Sequence, residues 1–132
     1  MAFIDNDYCF ACGAENPIGL HLRFEQVEEK FVAKKTLARE FQGYSNVAHG
    51  GIVTTLLDEA MGNFVQTKFH QMALTGRIEV RYHYPTPVEQ ELTVSAWQEL
   101  QRRNIVTMKA TVQTADGVVT AEATAKFALV AK

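Results

Sequence analysis

Apolar residues return along this chain in two rhythms. Leu20, Leu22 and Phe24 alternate with His21, Arg23 and Glu25, the period of a half-buried strand. The polar Glu28-Glu29-Lys30 predicts a hairpin turn into a second strand from Phe31 to Leu37. The period then changes: Ile52, Val53, Leu56, Leu57, Ala60, Met61, Phe64 and Val65 recur every three or four residues. This stripe predicts an amphipathic helix that starts near Gly50, runs to about Lys68 or His70 and lies against a core. Alternation resumes with Ile78, Val80, Tyr82 and Tyr84 against Arg77, Glu79, Arg81 and His83, and Pro85-Thr86-Pro87 ends the run. Leu92, Val94 and Ala96 mark the next strand, and Val106, Met108, Ala110 and Val112 the one after. Asp116-Gly117 is a hairpin signal, after which Val119, Ala121, Ala123, Ala125, Phe127 and Leu129 alternate to the end.

The predicted order is two strands, one long helix and four antiparallel strands, an α+β chain with an irregular segment over residues 1–18 and a loop over residues 38–46. One helix covers one face of such a sheet, and the small Ala121, Ala123 and Ala125 let it lie close. With 132 residues, 47% of them hydrophobic, residues 1–132 make one core and too little for two. A formal charge of −2, from 15 acids and 13 bases spread along the chain, gives no reason to expect nucleic acid or an anionic membrane as partner. No apolar run spans a bilayer, and residues 1–5 lack a basic segment followed by an apolar one, so the expected location is the cytoplasm.

Candidate chemistry gathers at the helix. Gly50 and Gly51 fall where the first helical N–H groups lack partners inside the helix, so those donors can meet an incoming oxygen. Asp58 and Glu59 follow two turns on, with Asp58 and Gly62 off the apolar stripe. Gly62 costs up to about 1 kcal/mol relative to Ala, which a close approach by a ligand or a second backbone explains. Gly50 and Asp58 stand eight residues apart, roughly 12 Å along the axis at about 1.5 Å per residue. One small reacting group cannot touch both. A second copy of the helix running antiparallel would bring the glycine of one chain to the acid of the other, so a catalytic reading requires a homodimer or a multiple such as a homotetramer.

Cys9 and Cys12 form a C-x-x-C. A structural zinc site needs four ligands, for which His21 and another histidine are the available additions, and a redox pair belongs between a strand and a helix. The reading preferred is two reduced thiols packed in a loop, with no metal and no cofactor.

These residues resemble the hotdog-fold acyl-CoA thioesterases, in the branch that includes the phenylacetate-degradation (PaaI-like) enzymes. The resemblance rests on Cys9-Phe10-Ala11-Cys12-Gly13 with Asn16-Pro17-Ile18-Gly19-Leu20, on Phe41-Gln42-Gly43 ahead of His49-Gly50-Gly51, on Leu57-Asp58-Glu59-Ala60 and on the stretch from Tyr82 to Pro87. It implies a hotdog fold, one long helix wrapped by a curved antiparallel sheet of about six strands. It implies hydrolysis of an acyl-CoA, with the Gly50 N–H as oxyanion donor and Asp58 of the other subunit as base or nucleophile. Thr75 stands where relatives carry a hydroxyl that helps hold the attacking water. Gly43 replaces an Asn or Gln of some relatives, and Asn46 is the nearby substitute.

Beside these stand plainer roles. The alternative for Asp58 is a surface acid or an interface salt-bridge partner, with Glu59 the alternative carboxylate, and His49 fixes the turn by a side-chain hydrogen bond or touches the thioester. Arg102 and Arg103 are candidates for the CoA phosphates, or solvated loop charge. The fold admits rival functions, a hydratase or dehydratase and a non-catalytic acyl-CoA-binding module. Dehydration needs a histidine and an acid converging on the substrate; in the dehydratases of this fold family the histidine lies upstream of the helix in a His-Phe-Pro-Gly-like context, which the chain lacks, and the presence of Asp58 argues against the module.

Overall fold

The computed structural model describes residues 7–130; residues 1–5, read above for a targeting pattern, lie outside the described part. The elements follow the predicted order: β1 (Glu25–Val27), β2 (Lys30–Thr36), α1 (Gly50–Phe69), β3 (Ala73–Tyr82), β4 (Glu91–Arg102), β5 (Ile105–Thr114) and β6 (Val119–Leu129). All six strands join one antiparallel sheet in the order β1-β2-β4-β5-β6-β3. The sheet curls around α1, whose Val53, Leu56, Leu57, Ala60, Met61, Phe64 and Val65 are buried, as the stripe requires. Facing them are Leu92, Val94 and Ala96 of β4, Val106, Met108, Ala110 and Val112 of β5, and Ala121, Ala123, Ala125 and Phe127 of β6. A stripe of methyl-sized side chains along β6 admits the helix closely. No helix among the described residues is long and apolar enough to cross a membrane.

Two strands differ from the pattern. The alternation at Leu20 to Glu25 is not a ladder strand; only Glu25–Val27 pairs with β2. Leu20 and Leu22 are buried, yet their N–H groups bond Phe10 O and Ala11 O at 2.8 and 2.9 Å, so this extended segment is held by the N-terminal leader. His21 between them sits at φ 54°, which a regular strand excludes. The strand after the helix begins at Ala73, ahead of the predicted Arg77, and ends at Tyr82, because His83 N–H and Tyr84 N–H both turn to Thr120 O. As an edge strand β3 is covered on one side only; Tyr82 and Tyr84, placed inward by alternation, are 54% and 61% exposed. The β5–β6 hairpin forms as predicted, with Gly117 at φ +89°, a conformation that favours glycine.

Candidate active site

His49 is the N-cap of α1. Its Nδ1 accepts from the Gly51 N–H at 2.9 Å, and its carbonyl accepts from Ile52 and Val53. The histidine therefore fixes the turn, and the Gly51 amide is satisfied within the chain, leaving it no donor for a ligand. Among the described residues the Gly50 N–H has no acceptor, so it is the first-turn donor that remains. The loop ahead is tied down by His49 N–H to Phe41 O at 2.9 Å and Ala48 N–H to Thr86 O at 2.7 Å. Tyr82 donates its hydroxyl to Gly50 O at 3.0 Å and bonds the Thr54 hydroxyl, bracing the first turn against the end of β3. Gly50, Val53, Tyr82, Tyr84 and Pro85 line a largely apolar groove of about 350 Å³.

Asp58 lines a different cavity, of about 150 Å³, with Thr75, Glu59, Gly62 and Phe127 and the two cysteines. Thr75 Oγ1 donates to Asp58 Oδ1 at 2.8 Å. Among the described residues Asp58 Oδ2 has no hydrogen-bond partner. A bulge aims Thr75 here. Ile78, Val80 and Tyr82 pair with Ala125, Ala123 and Ala121 on the helix side of the sheet, so strict alternation would put Gly76 inward and Thr75 outward. The register shifts between Thr75 and Arg77, so that Thr75 pairs with buried Phe127 and shares its face.

Glu59, in the same cavity, reaches the leader. Cys9 Sγ donates to its Oε1 at 4.0 Å and Asn63 Nδ2 to its Oε2 at 3.4 Å. Burial raises its carboxyl above the usual range, against the lowering effect of hydrogen bonds from Cys12 and Asn63 and with a further push from the charge of Asp58. Burial and the same carboxylate push the Cys12 thiol upward. Gly62 is explained by a side chain: a Cβ there would meet Phe127 Cε2 at 3.3 Å.

The other candidates lie apart. Asn46 is an exposed loop residue at φ 67°, with its N–H on Gln42 Oε1 at 3.1 Å. Arg102 ends β4 and Arg103 turns into β5 at φ 55°, both exposed. They stand at the Ala73 end of the sheet, as Arg102 pairs with Ile105, Ile105 with Ala128 and Leu74 with Ala128. Tyr82 and Thr54, which brace the helix start, were missed by the sequence reading. The inward parity of Tyr82, at the end of its run, was the available signal. Nothing local signals the approach of Cys9 to Glu59, 50 residues away.

Among curated proteins none matches this chain by sequence. Among solved structures, the thioesterase superfamily protein RHA08564 superposes with a TM-score of 0.84 at 24% identity over 92% of this chain; the chain spans 60% of that protein's length. A hypothetical thioesterase from Streptococcus pneumoniae, solved with coenzyme A, gives 0.76 at 20% identity over 84% of this chain and 90% of its own. The PaaI protein of the E. coli phenylacetic acid degradation operon gives 0.77 at 16% identity over 85% and 81%. At these identities the likeness concerns the fold, which is the hotdog. The model of the thioesterase superfamily matches residues 45–121, from the loop before the N-cap into β6 and over more than half the length, and to that family the chain belongs.

Proposed function

We propose that this protein hydrolyses an acyl-CoA thioester to the free acid and CoA at a site shared by two chains. The observation that carries the reading is the Asp58–Thr75 pair, held at 2.8 Å in one cavity while the open Gly50 N–H lies in another. In one chain the two are roughly 12 Å apart along α1 at about 1.5 Å per residue. A dimer with antiparallel α1 helices supplies the missing half to each. Support for that face comes from β3, a ten-residue strand with one edge unpaired among the described residues, and from Met72, Leu74, Tyr82 and Tyr84 exposed along and beside it.

The thioester oxygen lies on the Gly50 N–H at the positive end of the helix, where charge developing on it is stabilised. Thr75 orients Asp58 through Oδ1, and Oδ2 takes a proton from water as the water attacks the carbonyl carbon. The C–S bond breaks, and the thiolate leaves with that proton. Direct attack by Asp58 to give a transient anhydride, later opened by water, uses the same groups. The CoA carrier is supported by the coenzyme A bound to the streptococcal protein and the acetyl-CoA bound to its Streptococcus mutans counterpart. The first of these was also solved with one aspartate, and separately one threonine, replaced by alanine, 16 positions apart. Asp58 and Thr75 are 17 apart.

The test is a panel of short-chain, medium-chain and aryl-acetyl CoA esters, scored by free thiol. Wild-type protein releases thiol from at least one ester, and Asp58→Asn loses about 10²-fold or more of that rate with its circular dichroism unchanged. Near-normal release by the variant, or consumption of an enoyl ester without thiol, rejects the proposal.

A further inference from the structure

We propose that Cys9, Cys12 and Glu59 form a binding site for a divalent ion of the zinc class, clasping the N-terminal leader to α1. The three ligating atoms, two sulfurs and a carboxylate oxygen, all lie within 4.8 Å of one another. In a tetrahedral zinc site, with Zn–S about 2.3 Å and Zn–O about 2.0 to 2.2 Å, neighbouring ligands stand roughly 3.5 to 3.8 Å apart. The cluster needs to contract by less than about 1.5 Å.

The local fold suits this. Gly13 N–H bonds Cys9 O at 2.8 Å and closes a tight turn around the C-x-x-C, which brings both thiols to one acid. The turn is anchored by Arg23 Nη1 on Cys12 O at 2.8 Å and by Leu20 and Leu22 N–H on the carbonyls between the cysteines. Across from it, Glu59 is fixed on the helix and lacks a cation: among the described residues no ion pair reaches it, and its partners are thiols and one amide. A half-buried carboxylate beside two sulfurs is a donor set whose chemistry suits a divalent ion of the zinc class. His21, the ligand suggested by sequence, is engaged with Asn16 O at 2.7 Å. The third ligand comes from the helix instead.

Binding replaces the two S–H protons, which leave to solvent, so the ion meets two thiolates and one carboxylate. The fourth position opens on the cavity shared with Asp58 and Thr75, where water completes the tetrahedron. The ion fastens a leader that otherwise joins the helix through weak thiol hydrogen bonds. This proposal does not depend on the thioesterase reading, since its readout is the bound metal.

The experiment uses the full chain, reduced and stripped by a chelator, titrated with Co²⁺ under anaerobic conditions and then displaced with Zn²⁺. One equivalent of Co²⁺ per chain should give a thiolate-to-cobalt band in the near ultraviolet with tetrahedral visible bands. Cys9→Ser and Cys12→Ser should each weaken Zn²⁺ binding on the order of 10²-fold, and Glu59→Gln about tenfold with a changed visible spectrum. Maleimide labelling of the two thiols should slow when Zn²⁺ is present. A reduced wild-type chain that gives no such band, or whose thiols label equally fast with and without Zn²⁺, overturns the site. Cysteine variants that bind as wild type overturn it too, and a Glu59→Gln variant with unchanged spectrum and affinity removes the helix from it.

Discussion

Thr75 and His49 each act through one hydrogen bond, and each bond has a different readout. The Thr75 hydroxyl holds one oxygen of Asp58. Thr75→Val keeps the shape and removes the donor, and a hydrogen bond to a charged group contributes about 1.5 to 3 kcal/mol, so kcat should fall roughly 10- to 100-fold. Thr75→Ser should recover most of it. Loss of rate in both variants alike would assign the effect to packing. The His49 ring instead caps the helix. His49→Ala should cost about 1 kcal/mol, which for a chain of this size lowers the melting temperature by about 3 °C. His49→Asn, a good N-cap, should restore it; an unchanged melting temperature in the alanine variant would show that the cap is idle.

Between helix and sheet, Gly62 packs closely against Phe127. Alanine gains about 1 kcal/mol of helix propensity over glycine, but its Cβ would press the buried Phe127 ring at 3.3 Å, closer than an ordinary contact, so the ring must shift within the core. Gly62→Ala should therefore destabilise by about 1 kcal/mol in urea unfolding. In a Phe127→Leu background the same change should be neutral or stabilising, a coupling that a double-mutant cycle measures. Equal effects in both backgrounds would free Gly62 from the ring. At this scale the sequence was informative wherever one period ran unbroken, as on α1, β5 and β6. It misled where the neighbours of an element could not be read: Leu20 and Leu22 alternate because the leader covers them, and Tyr82 at the end of β3 and Tyr84 just beyond it are exposed because, among the described residues, no strand flanks β3 on its outer edge. The bulge at Gly76 is invisible to a count by twos, so the inward aim of Thr75 was reached by resemblance and not by periodicity. The meeting of Cys9 and Cys12 with Glu59 depends on a tertiary contact across 50 residues and leaves no local trace.

For the molecule as a whole, the decisive question is whether the amide and the acid belong to different chains, and variant mixing answers it. Gly50 is the first residue of α1, where proline is tolerated because that N–H has no helical acceptor, and His49 at φ −59° and ψ 136° already has the backbone that precedes proline. A Cβ at Gly50 meets Tyr82 at 3.7 Å or beyond, an ordinary contact. Gly50→Pro thus deletes the donor while keeping the helix. Alone, it should lose about 3 to 4 kcal/mol of barrier lowering, comparable in effect to Asp58→Asn. If each site takes its amide from one chain and its acid from the other, a mixed dimer of the two variants holds one intact site and one doubly damaged site. Unfolding the two variants together at equal concentration and refolding them makes half the dimers mixed. Activity should return to about one quarter of wild type, from two nearly inactive parents. If both groups served within one chain, every chain in the mixture would carry a defect in its own site and the activity would stay at the level of the parents.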